Sequence, residues 1–480
     1  MERKKLYIDG KWEDLSDHFA VVDPGNGETI AEIPAAGRAE TKHALEAAQR
    51  SLPAWQALPA IKRSDYLLAV SQELLRRQKE IARDVTRENG KPFSQSLGEV
   101  MVAADHFRWF AEEARRAYGR IIPNQAPGKR HLVIRVPVGV VVAISPWNFP
   151  LVLSARKVAP ALAAGCPVVL RPASQTPLSA IYLAECMEKA GVPAGVFQVI
   201  AGPAVPMAQE FLENPICRKI TFTGSTEVGR SLLAGSARNI TKLSLELGGH
   251  APVLVFADAD LELAVEGAMI TKFRNTGQSC IAANRIYVER SIYAKFLELF
   301  SRKAAALKVG YGLDEGVDIG AIVNEEGVKT ALRHIENAKS MGGRIVCGGK
   351  AITKNGGHYL EPTVIADVPD GALCMTEETF APIAPVAAFD SEEEAIRAAN
   401  NTRYGLAAYA YTTDLNRMWR LAESIEAGTV AINDAVPSTS NAPFGGMKES
   451  GLGRELGSEG LDSFLETKHI SLGGIPDPFA

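Results

Sequence analysis

Residues 138–165 read VGVVVAISPWNFPLVLSARKVAPALAAG. The first seven, Val138–Ile144, are apolar on both alternating faces, the pattern of a strand buried between two layers. A turn follows, Ser145-Pro146-Trp147-Asn148-Phe149. Pro150 suits the first turn of a helix, where its missing N–H would have no partner anyway, and Gly165 is a natural helix stop. A spanning membrane helix needs about 20 continuous apolar residues. Gly139, Pro146, Asn148 and Pro150 interrupt this stretch and Arg156-Lys157 closes it, so strand, turn and helix are expected and a membrane span is not.

The same rhythm continues to about residue 245. Strands are expected at Val168–Leu170, Phe197–Ile200 and Lys219–Phe222, with Thr176 as the N-cap and Pro177 as the first residue of a helix that Gly191 closes. Repeated strand–helix units of this length imply a parallel sheet with helices on both faces. A second α/β series begins near Leu247-Gly248-Gly249. It has strands at Pro252–Phe256, Arg285–Glu289, Ala384–Phe389 and Ala407–Tyr411, and runs to about Gly446. Its helices fall at Leu261–Phe273, Tyr293–Leu307, Glu325–Lys339, Glu392–Asn400 and Leu415–Glu426. Two segments stand apart: Gly119–Arg135, read as two strands around Ala126-Pro127-Gly128, and a short strand in Glu466–Gly474. Both are expected to pair outside the main body.

The chain of 480 residues carries 52 Lys+Arg against 56 Asp+Glu, a net charge of −4, and is 46% hydrophobic. That balance excludes general disorder and gives no broad field for nucleic acid or anionic lipid. The six cysteines form no CxxC pair and the eight histidines no HExxH motif, so no metal site is expected. Sparse thiols and an opening MERKKLYIDG without an apolar core lead to the expectation of a cytoplasmic protein with no signal peptide.

Four motifs can carry chemistry. Cys280 ends Lys272-Phe273-Arg274-Asn275-Thr276-Gly277-Gln278-Ser279-Cys280, a loop after a helix that can present a thiol to a cleft; the alternative is a small buried hydrophobe. Glu246 interrupts the apolar strand of Leu243-Ser244-Leu245-Glu246-Leu247-Gly248-Gly249. Burial would raise its pKa and suit it as a general base, unless it is a structural carboxylate paired with a lysine such as Lys157. Asn148 sits at the carboxyl end of a buried strand, where open α/β sheets place ligands. Its amide can donate to an oxyanion or, alternatively, cap the following helix. Phe222-Thr223-Gly224-Ser225-Thr226-Glu227-Val228-Gly229 is a strand, a glycine turn and a helix start that can face a phosphate; its GxxxxG spacing is neither a GxGxxG fingerprint nor a P-loop.

Together these motifs resemble the aldehyde dehydrogenase superfamily across nearly the whole chain. Glu378-Thr379-Phe380-Ala381-Pro382, Pro443-Phe444-Gly445-Gly446 and Gly451-Leu452-Gly453-Arg454-Glu455 complete the family's order. The resemblance implies an α/β fold with a doubly wound nucleotide-binding domain (1–118 and 137–246) and an α/β catalytic domain (247–446). A small β oligomerisation arm with the C-terminal tail (119–136 and 447–480) would build homodimers or homotetramers. It implies that Cys280 attacks an aldehyde, that Asn148 and the Cys280 backbone N–H hold the oxyanion, and that Glu246 activates the hydrolytic water near Lys157. It places Glu378 at the nicotinamide ribose with Phe380 beside it. Gly224 and Ser225 would meet the pyrophosphate, and Ser145, Pro146, Trp147, Gly229 and Leu247 would line the cofactor. The family pattern has Gly-Pro after the phenylalanine; here it is Ala381-Pro382.

Cofactor and substrate choice rest on departures from the common pattern. The family usually has Lys and Glu where this chain has Arg171 and Ser174. Loss of the glutamate removes repulsion of a 2′-phosphate and Arg171 can grip one, so NADP is expected to be preferred, with NAD usable. Arg156 and Arg274 replace residues that are often apolar or aromatic, and Ser438 adds a hydroxyl. This trio resembles succinate-semialdehyde dehydrogenases, implying an aldehyde with a remote carboxylate. Glutarate and 2-oxoglutarate semialdehydes, or a less specific aldehyde range, are the alternatives within the class, and pairing of either arginine with a structural acid is the bland reading of that residue. A CoA-acylating enzyme is disfavoured by Glu246, a retired binding protein by the intact Cys280, Glu246 and Asn148, and a cysteine protease by the lack of a motif-placed histidine. Ala282 stands where some relatives carry a second cysteine, so no local disulfide switch is expected.

Overall fold

Strand Val140–Ile144 lies in the middle of an eight-stranded sheet of the computed structural model, which describes residues 2–476. Its neighbours are Val168–Arg171 on one side and Cys217–Thr223 on the other, both parallel to it. Phe197–Val199 and Lys242–Glu246 extend the parallel core outward. Chain order therefore reverses at Val140–Ile144, and a crevice opens at its carboxyl end, the switch point where doubly wound sheets bind ligands. All five residues of that strand are buried, as its apolar run requires. The α/β, doubly wound architecture expected from the sequence is the observed one.

The second sheet has seven strands, with Ala251–Val255 and Ala283–Glu289 at its centre and Ile383–Phe389, Ala407–Tyr411 and Thr429–Ile432 parallel to them. Cys280 lies three residues before one of these strands and Leu247–Gly249 just before another. The amino ends of the second sheet thus meet the carboxyl ends of the first. A third sheet joins Arg120–Ile122, Arg130–Pro137 and Leu465–Leu472. Its long antiparallel register runs from Leu465 opposite Pro137 to Leu472 opposite Arg130.

Two local expectations change. The sequence places residues 447–464 with the arm and tail; in the structure Gly451–Leu452 pairs with Lys242–Glu246 at the edge of the first sheet, and Leu456, Leu461 and Phe464 are buried in the core beside that sheet. Thr176 was expected to cap the next helix; helix Leu178–Lys189 starts after Pro177, with no local side-chain cap, and Thr176 Oγ1 is buried without a partner. Glu88 does the capping instead, accepting from Leu178 N at 2.7 Å and Ser179 N at 3.0 Å. It comes from helix Gln78–Asn89, part of a helical layer over residues 38–113 in which the sequence offered no motif.

Candidate active site

Cys280 lies where two cavities meet. One, of about 640 Å³, is lined by Pro146, Trp147 and Asn148 from the first switch-point turn, Thr223–Ser225 from the next, Leu247 and Gly248, and Glu378 and Phe380. The other, of about 650 Å³, is lined by Phe149, Arg156, Arg274, Val436, Ser438 and Phe444 among others. Cys280 borders both.

The loop bearing the cysteine is held in an uncommon shape. Asn275 and Thr276 have φ of 50° and 58°, a left-handed conformation costly for residues with a Cβ. Side chains offset that strain: Asn275 Nδ2 donates to Asn148 O at 2.8 Å, Asn275 N donates to Gln95 Oε1 at 2.8 Å, and Thr276 Oγ1 donates to Gly320 O at 3.2 Å. Close approach fixes the loop's neighbours. A Cβ on Gly277 would stand 2.2 Å from Ala381 O, and one on Gly249 would stand 2.0 Å from Cys280 O, so both positions exclude any larger residue. The first contact presses the thiol loop against the Glu378–Pro382 segment, in which Phe380 also has positive φ, 45°. Ala381 is accommodated there, buried.

Cys280 is half-buried, and burial pushes its thiol up to about 12, with Glu378 and Glu246 adding to the rise and Arg156 opposing it. A thiol so placed needs a base. Glu246, the last residue of its strand, is buried and neither carboxylate oxygen has a protein hydrogen-bond partner. Burial, then the nearby Glu455 charge, hold its carboxyl well above the usual range, against Lys157, Arg156 and Arg454. The suggested pairing of Glu246 with Lys157 is not made: the Lys157 ammonium bonds Glu455, and its contact to Thr221 Oγ1 is 3.5 Å. Gly224 N donates to Glu246 O at 3.0 Å, tying the two motifs by backbone.

Asn148 does not cap its helix. Helix Pro150–Ala164 begins after Phe149 without a local side-chain cap; Glu99, from helix Phe93–Glu113, accepts from Leu151 N at 2.9 Å and Val152 N at 3.2 Å. One Asn148 amide hydrogen goes to Gln278 O at 3.2 Å, which leaves the second for a ligand beside Cys280. The Asn148 carbonyl accepts from Lys91 Nζ at 2.7 Å and from Asn89 Nδ2 at 3.3 Å as well as from Asn275. Asn89, Lys91, Glu99 and Asn275 were missed by sequence reasoning; only the charged pair Lys91 and Glu99, eight residues apart near one helix start, offered any signal.

Residues that fit a dinucleotide surround the first cavity. Thr223 and Thr226 have buried hydroxyls with no protein partner at the start of helix Thr226–Ser236, and Trp147 meets Phe380 edge to face with centroids 5.4 Å apart. Glu378 Oε1 accepts from Gly249 N at 3.0 Å; burial raises its carboxyl to about 7. Ser225 serves as N-cap, accepting from Val228 N at 3.3 Å. Ser145 Oγ pairs with Ser154 Oγ behind the turn, and a Cβ on Gly229 would meet Leu247 at 2.5 Å, so these two shape the wall without lining it. Arg171 and Ser174 lie outside this cavity. Arg171 Nη2 donates to Gly202 O at 3.1 Å while its Nε is buried without a partner, and Ser174 borders a separate surface cavity with Asp23 and Glu88.

The aldehyde dehydrogenase family model matches residues 12–470. The chain belongs to the aldehyde dehydrogenase family. It is 48% identical over 475 residues to glutarate-semialdehyde dehydrogenase of Pseudomonas aeruginosa, with 98% of each chain covered. It is 47% identical over 473 residues to the NADP(+) succinate-semialdehyde dehydrogenase of Escherichia coli, again with 98% of each covered. The crystal structure of an NADP-dependent enzyme from E. coli superposes with a TM-score of 0.97 at 47% identity, covering 98% of each chain. As a member of this family the protein is an NAD(P)-dependent enzyme that oxidises an aldehyde by way of a catalytic cysteine. Among the described residues no helix is long and apolar enough to cross a membrane.

The second cavity is where this aldehyde dehydrogenase has charge to spare. Arg156 is buried, stacks over the Phe444 ring at 4.6 Å and donates from Nη2 to Ser438 Oγ at 3.0 Å. Arg274 lies over the Phe149 ring at 5.2 Å with its side chain exposed to the cavity. Of the acids near them, Glu99 is engaged with Lys91 and Glu455 with Lys157, while the buried Glu246 carboxyl feels the Arg156 charge without a hydrogen bond to it. Neither arginine forms an ion pair with an acid among the described residues.

Proposed function

We propose that the protein oxidises a semialdehyde bearing a remote carboxylate, with succinate semialdehyde to succinate as the first choice. The observation that carries this reading is the pair of guanidinium groups, Arg156 and Arg274, without acidic partners on the far side of Cys280 from the cofactor cavity. Arg156 is buried, and a buried cation without an ion-pair partner is costly unless an anion completes it; Arg274, exposed to the same cavity, adds a second guanidinium for that anion. Ser438 adds a hydroxyl beside Arg156. Glutarate semialdehyde, longer by one methylene, and 2-oxoglutarate semialdehyde carry the same anion and are the alternatives; the relatives named above include enzymes of both the four- and the five-carbon substrate.

In this reading Glu246 draws the proton from Cys280, directly or through water, and the thiolate adds to the aldehyde carbon. The Asn148 amide and the Cys280 N–H hold the oxyanion of the thiohemiacetal. Bound NAD(P)+ supplies the hydride acceptor. Once Glu246 has released the thiol proton to solvent it takes a proton from water, whose oxygen adds to the thioester carbonyl; the C–S bond breaks, the Cys280 thiolate leaves and the carboxylic acid is released. Lys157 keeps Glu455 neutralised beside Glu246. Arg171 and Ser174 favour NADP over NAD, since no acidic side chain at position 174 repels a 2′-phosphate. The arm carries exposed Ile121 and Ile134, with Tyr118 beside it, an apolar surface that a second copy of the chain would cover in a homodimer or homotetramer.

A kinetic panel tests the reading. Succinate, glutarate and 2-oxoglutarate semialdehydes are compared with butanal, each with NADP and with NAD. The best semialdehyde is expected to exceed butanal in kcat/KM by roughly tenfold or more, as a charged contact allows. Equal efficiency for butanal would defeat the carboxylate assignment.

A further inference from the structure

Lys91 and Glu99 are both almost fully buried and pair at 2.6 Å. Such a pair is a poor stabiliser, because apolar residues of similar volume avoid the desolvation that two buried charges suffer. Its contacts point to another use. Lys91 Nζ donates to the Asn148 carbonyl at 2.7 Å and lies 4.1 Å from the centre of the Phe149 ring. Glu99 turns its second oxygen to Leu151 N and Val152 N. One ion pair therefore grips both the turn that carries Asn148 and the first turn of the helix that carries Arg156. The same Asn148 carbonyl accepts from Asn275 in the strained thiol loop, so three segments converge on one oxygen atom.

We propose that Lys91 and Glu99 are positioning residues for the oxyanion site: the buried pair fixes the Asn148 turn against the thiol loop and so sets where the Asn148 amide stands relative to Cys280. This rests on the reading of Asn148 as an oxyanion donor. Loss of the grip leaves the nucleophile and the cofactor cavity in place and misaligns one donor. Misplacement by about 1 Å can reduce a rate by roughly a hundredfold.

The test uses full-length Lys91→Met, Glu99→Gln, the double variant and Asn148→Ala, assayed with butanal and with a semialdehyde. Either single change strands a buried polar group and is expected to lower the melting temperature. The double variant removes both charges and is expected to recover the melting temperature. Its kcat should stay about ten- to a hundredfold low on both aldehydes, with KM for the cofactor and the alkylation rate of Cys280 by iodoacetamide unchanged. Wild-type kcat in the double variant, alongside a crippled Asn148→Ala, would overturn the positioning role alone. So would a kcat that recovers in step with melting temperature, as for a purely structural pair. Wild-type kcat in Asn148→Ala would overturn the oxyanion reading, and the inference with it.

Discussion

The cavity on the Trp147 side of Cys280 is built mainly from strand ends: Ile144 leads into Pro146–Asn148, Thr223 into Gly224–Ser225, and Glu246 into Leu247–Gly248. The cavity on the other side takes Glu99 and Val102 from one helix, Arg156 from a second, Arg274 from the strained loop, and Val436 and Ser438 from a long connection. The first wall is set by sheet topology, because the turns lie wherever the parallel strands end. The second is set by side chains on four segments that nothing in the backbone requires to be polar. Chemistry and specificity should therefore separate on mutation, and each variant below either sharpens that division or breaks it.

Cys280 belongs to both walls, and its loss should give the largest effect. Cys280→Ala is expected to reduce kcat by about 10⁴-fold or more, as removal of a nucleophile does, while NADP binding by titration calorimetry stays intact. Residual turnover near wild type would remove Cys280 from the mechanism.

Glu246 comes next; it ends the strand that leads into the first wall at Leu247 and Gly248. Glu246→Gln is expected to lower kcat by about 10²–10⁴-fold, the usual worth of a general base, with thioester formation and its hydrolysis both slowed. Its pH behaviour carries a sign. A carboxyl held well above the ordinary range by burial is protonated, and idle as a base, at pH values where an exposed glutamate is already ionised. Wild-type kcat should thus fall as pH drops through that raised pKa, and Glu246→Gln should lose this limb. A limb that persists in the variant would point to another group.

Arg274 probes the other wall. Arg274→Met keeps an unbranched apolar stem and removes the charge. The loss of a contact worth about 1.5–3 kcal/mol corresponds to a rise of roughly ten- to a hundredfold in KM for the semialdehyde, with kcat/KM for butanal unchanged. An equal loss on both aldehydes would show that the two walls are not independent.

The difference between the walls also explains what could be read in advance. Motifs at strand ends are short, contiguous and tied to backbone geometry, so Asn148, Gly224, Glu246 and Cys280 were legible as candidates and the doubly wound sheet with them. The caps on helices Pro150–Ala164 and Leu178–Lys189 were not, because Glu99 and Glu88 reach them from 50 to 90 residues away in sequence. A local rule names Thr176 or Asn148 for that work; the folded chain brings a carboxylate from the N-terminal helices instead. The same distance hid Lys91 behind Asn148. The return of residues 447–464 to the first sheet was hidden for a related reason, since a two-residue edge strand such as Gly451–Leu452 has no periodicity to detect.

The smallest effect is expected at Ser174, which lies outside both walls. Arg171 spends one guanidinium nitrogen on Gly202 O, and Ser174 is half-buried beside an open surface cavity of about 870 Å³. A glutamate has room there. Ser174→Glu should place a carboxylate where a 2′-phosphate would approach, and a repulsion of about 1.4 kcal/mol lowers kcat/KM for NADP tenfold relative to NAD. An unchanged cofactor ratio would show that position 174 does not face the adenosine ribose. The KM for the aldehyde is the sharper readout for the division between walls: because neither cavity includes this residue, it should not move, and a shift would mean that cofactor discrimination reaches through the switch-point turns to the thiol.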